Sequence, residues 1–129
     1  MFIYNENNEI IDLTDNDINW GNLSRYEKLP ESFIEKFQNK VIWFYISQNQ
    51  KLYEHFIEQL QNKVYWPCIS KYQTLSEPFI IKFQDKVDWY CISEYQSLSE
   101  PFVHKFYNEL YFDQLFINNK IDKQRILDL

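Results

Sequence analysis

A single glycine, Gly21, occurs in the 129 residues. Tight hairpins draw on the positive φ that glycine supplies, so this scarcity counts against a many-stranded all-β fold. Apolar runs of about 18 residues are missing, which argues against a membrane-spanning helix. The N-terminus, MFIYNENNEI, lacks a basic region followed by an apolar core, so a signal peptide is not expected and the chain reads as soluble, intracellular and cytoplasmic. Cysteine is limited to Cys68 and Cys91, and histidine to His55 and His104. These four share no metal-ligand spacing, so neither a metal site nor a cofactor is expected. Residues 1–19 contain no Lys or Arg but carry Glu6, Glu9, Asp12, Asp15 and Asp17. That leader holds five of the six net negative charges, leaving residues 20–129 nearly neutral with fourteen acids and thirteen bases.

What the chain does contain is apolar and aromatic side chains, 45% and 19% of residues. Burial on that scale can offset the entropy of ordering, so most of the chain is expected to fold. Trp20, Trp43, Trp66 and Trp89 recur every 23 residues without gaps. Each begins a unit such as WPCISKYQTLSEPFIIKFQDKVD, and a degenerate fifth unit starts at Phe112. Self-similarity at fixed period is the mark of a repeat architecture. The fold class expected is all-α: a short α-solenoid of helix–turn–helix repeats, with room for a small extended or hairpin segment at the N-terminus. It divides into an acidic leader or cap at 1–19, four repeats at 20–111 and a degenerate C-terminal cap at 112–129.

Apolar spacing within a unit is helical. Phe79, Ile80, Phe83 and Val87 form one stripe, and Trp66, Ile69 and Tyr72 form another. Leu75 lies between them and should plug the gap. Ser76-Glu77-Pro78 and Ser99-Glu100-Pro101 read as an N-cap, an acid in the first turn and a proline whose missing N–H costs nothing. Asp88 reads as the cap of the next helix. Each unit should therefore hold helices of about 8 and about 10 residues, too short to persist alone. Gly21, Pro30, Tyr53 and His55 depart from the pattern and suggest shifted helix starts in the first two units.

The recurrent residues are best explained by packing. The tryptophans should form a core ladder. Ser24, Ser47, Ser70 and Ser93 have no His or acid recurring beside them and should hydrogen-bond local backbone. Lys36, Lys40, Lys63, Lys82, Lys86 and Lys105 lie toward helix C-termini, opposite Glu31, Glu54, Glu77 and Glu100 at the N-termini. That arrangement matches the helix dipole and describes a solvated face. His55 and His104 read as surface residues. Successive layers stack roughly 8–10 Å apart, while a disulfide needs Cα atoms within about 7 Å, so Cys68 and Cys91 should be free thiols. At the N-terminus, Ile10, Ile11 and Ile18 favour a degenerate helix over 10–18, with a hairpin pairing FIY with EIIDL as the rival.

The core W-x-x-I-S-x-Y-Q-x-L-S-E-P-F, from Trp66 to Phe79 and from Trp89 to Phe102, resembles 23-residue helical repeats of uncharacterised giant DNA virus and phage proteins. The resemblance covers residues 20–111 and implies a viral or mobile-element origin, host-cell cytoplasm and a binding role; it carries no catalytic residues. If the invariant positions are core, binding falls to the variable ones. Phe44, Tyr45, Tyr65, Tyr90 and Tyr111 should form an aromatic edge at the starts of the first helices, a composition typical of protein-binding surfaces. The reading is thus a non-catalytic module that binds a protein partner, with self-association open and direct nucleic-acid binding not expected. The alternative is a small acidic inhibitor of a host or bacterial nucleic-acid enzyme, in which Asp12, Asp15 and Asp17 imitate phosphates.

Overall fold

A computed structural model of the chain describes residues 2–4, 10–12, 18–118 and 124. It divides into two compact units, Met1–Tyr65 and Trp66–Leu129. The first holds strands β1 (Phe2–Tyr4) and β2 (Ile10–Asp12) and helices α1 (Trp20–Tyr26), α2 (Glu31–Lys36), α3 (Trp43–Asn49) and α4 (Glu54–Gln59). The second holds α5 (Trp66–Tyr72), α6 (Glu77–Lys82), α7 (Trp89–Tyr95), α8 (Glu100–Lys105) and α9 (Phe112–Asn118). Each repeat is one helix pair, and first helices stack on first helices: α1 on α3, and α5 on α7 on α9. Each unit thus has the layered helix-pair packing of an α-solenoid.

The local chemistry of helix starts is as the sequence indicates. Asn19 and Asp88 accept the N–H of Asn22 and Cys91, and Ser76 and Ser99 accept the N–H of Phe79 and Phe102. Starts in the first two repeats are not shifted, contrary to expectation: α2 and α4 begin at the same repeat position as α6 and α8. Pro30 and Tyr53 occupy the N-cap position there without a side-chain cap. Packing sets the boundary even where the cap is lost, because Phe33, Ile34, Phe56 and Ile57 stay buried in the same register.

The second helix is shorter than expected, six residues rather than about ten. At Phe83 the backbone leaves the helix (φ −108°, ψ 29°). Lys86 N–H then donates to Phe83 O at 2.8 Å, and Val87 N–H to the same carbonyl at 3.0 Å. This tightened turn still delivers Val87 to the core, so the apolar stripe survives although the helix does not. Ile34, Ile46, Ile57, Ile69, Ile80, Ile92, Val103 and Leu115 are fully shielded from solvent, each such burial contributing about 1.5–3 kcal/mol. Leu29, Leu52, Leu75 and Leu98 are buried in the connections, filling the gap as expected.

The tryptophans pack, but not as a buried ladder. They are half-buried, and Trp20, Trp66 and Trp89 each lie against two phenylalanines of their own repeat. Trp89 sits 6.3 Å from Phe102 and 5.3 Å from Phe106, ring centre to ring centre. Indole N–H groups of Trp43 and Trp89 donate to Gln38 O (2.9 Å) and Gln84 O (3.1 Å) in the preceding turn. An indole must keep its donor near a partner, which holds it at the rim rather than the centre.

The serines are also reassigned. Rather than bonding local backbone only, they tie the first helix of each repeat to that repeat's last residue: Ser24, Ser47, Ser70 and Ser93 Oγ accept the N–H of Ile42, Tyr65, Asp88 and Tyr111 at 2.9–3.0 Å. Ser93 also donates to Trp89 O. Tyr72 is exposed rather than part of the first helix's stripe, and Gln73 is buried in its place. The segment 10–18 is not helical where described: β1 and β2 pair antiparallel with Ile3 opposite Ile11, and residues 18 and 19 precede α1 as coil. A lone turn of helix has an unfavourable nucleus, whereas two short runs rich in β-branched and aromatic residues can satisfy each other's backbone. Residues 13–17 lie outside the described residues.

Candidate partner-binding surfaces

The five aromatic side chains at the starts of first helices fall into two clusters, one in each unit. In the first, Phe44 stands on the second residue of α3 and Tyr65 follows α4. Their rings are 5.3 Å apart, and Phe44 meets Tyr45 edge-on at 5.6 Å. In the second, Tyr90 on α7 meets Tyr111 edge-on at 5.5 Å. Phe44, Tyr65, Tyr90 and Tyr111 remain 45%, 47%, 46% and 53% exposed, while Tyr45 is half-buried. Apolar rings that cluster yet keep half their surface in water retain much of the free energy available from further burial.

The buried serines place these rings. Tyr65 and Tyr111 close the second and fourth repeats, and their N–H groups are held by Ser47 and Ser93 of the same repeats at 2.9 Å. Ile42 is the equivalent exposed residue one repeat earlier, held by Ser24. The backbone under the edge is therefore fixed by core hydrogen bonds before any partner arrives.

Each unit also holds a cluster of one cation with two tyrosines, which the helical periodicity does not indicate. The Arg25 guanidinium lies 5.0 Å from the Tyr26 ring centre and 5.5 Å from that of Tyr45. In the second unit, the Lys71 ammonium lies 5.0 Å from Tyr72 and 5.1 Å from Tyr95. Hydrogen bonding to the Tyr72 and Tyr95 side chains, more than any other influence, holds the Lys71 pKa above its usual range. The readable signal was a base followed by tyrosine at 25–26 and again at 71–72, two repeats apart.

Other candidates are plainly placed. Lys36, Lys82 and Lys105 are exposed over Phe37, Phe83 and Phe106, and the Lys63 ammonium donates to Asn39 Oδ1 at 2.9 Å. His55 is exposed, 3.7 Å from Glu31 Oε1, and His104 is exposed. Cys68 and Cys91 are free, and burial pushes both thiols above the usual range, Cys91 to about 11 with Asp88 as the second cause. Asp12 ends β2 with Phe2 as its strand partner, while Asp15 and Asp17 lie outside the described residues. Among the described residues, no group of three or more His, Cys, Asp or Glu is placed to hold a metal ion, and no helix is long and apolar enough to cross a membrane. In comparisons with known proteins, the chain matches no protein-family model, no curated protein and no solved structure.

Proposed function

We propose that the chain is a non-catalytic interaction module that binds a protein partner through its exposed aromatic edge, at Phe44, Tyr45 and Tyr65 in one unit and Tyr90 and Tyr111 in the other. The observation carrying this reading is the pairing of half-exposed rings, Phe44 with Tyr65 and Tyr90 with Tyr111, on a backbone pinned by buried serines. Tyrosine offers a large contact area at small entropic cost, and rigid aromatic anchors dominate protein interfaces. A cytoplasmic site of action in a host cell fits the repeat's resemblance to viral and phage sequences.

The test is affinity capture from the cell of origin with the wild-type chain and with a Tyr65→Ala/Tyr90→Ala variant, read by mass spectrometry. The partner should be lost with the variant while thermal unfolding is little changed. Equal recovery with both chains would sink the aromatic edge.

The charge of residues 1–19, five acids and no base, favours one second reading: inhibition of a nucleic-acid enzyme by phosphate mimicry. Changing Asp12, Asp15 and Asp17 to Asn should then abolish binding, and inhibition should weaken with salt. Binding unaffected by these substitutions rejects the mimic.

A further inference from the structure

An open cleft of about 360 Å³ lies between the end of α1 with its connection and the end of α3 with its connection. Arg25, Lys28 and Lys51 line it, with Tyr26 beside them and Glu27 as the single acid. The three cations are exposed, and among the described residues none has a carboxylate partner within ion-pair distance. Gln50 also lines the cleft; its carboxamide is bound to Leu29 N–H, Ser24 O and Glu27 O, which fixes the two connections against each other. The Arg25 guanidinium is held beside Tyr26 and Tyr45, and the Tyr26 ring is 62% exposed.

This concentration of positive charge is local in a chain of net charge −6. Two repeats later, Thr74 and Ser97 stand where Lys28 and Lys51 stand here. The cations therefore form one cluster rather than a track along the repeats. Nucleic acid gains affinity by neutralising many successive phosphates, which a single cluster does not provide. A short carboxylate-rich segment fits better: its charges meet unpaired cations with planar and ammonium donors, and its backbone can lie along the Tyr26 ring.

We propose that this cleft is a docking site for a carboxylate-rich peptide segment of a partner protein, recognised by Arg25, Lys28 and Lys51 with Tyr26 as the platform. None of these four residues belongs to the aromatic edge; Arg25 lies against its Tyr45, so the variant at Lys28 and Lys51, which leaves Arg25 in place, separates the two sites.

The test uses the full chain and a fluorescently labelled hexaglutamate peptide, followed by anisotropy at low and moderate salt. Binding should be measurable at low salt and weaken as salt rises. Lys28→Glu with Lys51→Glu, and separately Arg25→Gln with Lys28→Gln and Lys51→Gln, should each reduce affinity by at least about tenfold. Lys36→Gln with Lys40→Gln and Lys63→Gln removes three exposed charges elsewhere in the same unit and should leave affinity unchanged. Circular dichroism melts of all variants should match wild type, because every substituted side chain is exposed. The proposal is overturned by absent binding, or by equal losses in the cleft and control variants. It is likewise overturned if a single-stranded oligonucleotide binds the same residues more tightly, or if the cleft substitutions abolish self-association of the chain, making a second copy the occupant.

Discussion

Gln96 Oε1 accepts the backbone N–H of Leu75 at 3.1 Å, across 21 residues of sequence. The same carboxamide donates from Nε2 to Ser70 O at 2.8 Å and Gln73 O at 2.7 Å. One buried side chain thus satisfies three backbone groups in the preceding repeat, at the end of α5 and in the connection that follows it. Gln50 repeats the arrangement on Leu29, Ser24 and Glu27 in the first unit. Extended connections between short helices expose backbone groups that the helices themselves cannot satisfy, and glutamine has both donor and acceptor to serve them.

Replacing Gln96 by Leu should therefore destabilise the protein by on the order of 3 kcal/mol, since buried groups left unpaired cost about 1–3 kcal/mol each. Gln96→Glu should be at least as harmful near neutral pH, because a carboxylate keeps the acceptor but cannot donate to the two carbonyls. Urea unfolding of the three proteins checks this. Near-equal midpoints for wild type and Gln96→Leu would show that water replaces the carboxamide without cost.

This glutamine marks where sequence reading stopped. The period, the helix pairs, the caps at Ser76, Asp88 and Ser99, and the buried Leu-Phe-Ile positions were legible because propensity, capping and apolar spacing agree there. Gln50, Gln73 and Gln96 recur in three of the four repeats, with Glu27 in the first, but a polar residue at a helix end reads as solvated. Only the extended backbone of the C-cap, φ −91° and ψ 146° at Gln96, turns the side chain onto the neighbouring repeat. The same limit hid the role of the serines, whose partners lie 18 residues away. At the candidate site, the exposed rings were legible from periodicity; the Arg25–Tyr26–Lys28–Lys51 cleft was not, because its parts come from two repeats.

Ser93→Ala should cost about 1 kcal/mol, the low end of the about 1–3 kcal/mol for an unpaired buried group, because this hydrogen bond is only part-buried. It should also loosen Tyr111, whose N–H the hydroxyl holds at 2.9 Å. Amide hydrogen exchange at Tyr111 is the direct readout: it should accelerate in the variant well beyond any change at Ile92, whose N–H donates to Asp88 O in the first turn of α7. Equal acceleration at both sites would mean that the serine acts only through global stability.

Phe44→Ala should be far milder than a core truncation. Phe44 is 45% exposed and Ile46 fully shielded, so Phe44→Ala should cost about 1 kcal/mol or less, against about 2–5 kcal/mol for Ile46→Ala. Thermal melts of the two variants separate a surface ring from a structural one. Comparable losses would place Phe44 in the core and remove it from the aromatic edge.

Cys91 should resist alkylation at neutral pH. Its thiol is held protonated to about pH 11, first by burial and then by the Asp88 carboxylate, which also caps α7 through the Cys91 N–H. The thiolate is the nucleophile, so reaction with iodoacetamide should be much slower than for a free thiol with the ordinary value of 9.0. Asp88→Asn removes the neighbouring charge but keeps a capping oxygen, and should speed alkylation without restoring the unperturbed rate, because burial remains the larger cause. The sign of the linked stability follows. The folded pKa lies above the unfolded one, so the contribution is complete below about pH 9 and is lost as pH rises through about 11. Urea midpoints should fall across that window, and fall less steeply in Cys91→Ser. An identical pH dependence in that variant would assign the alkaline loss to other groups.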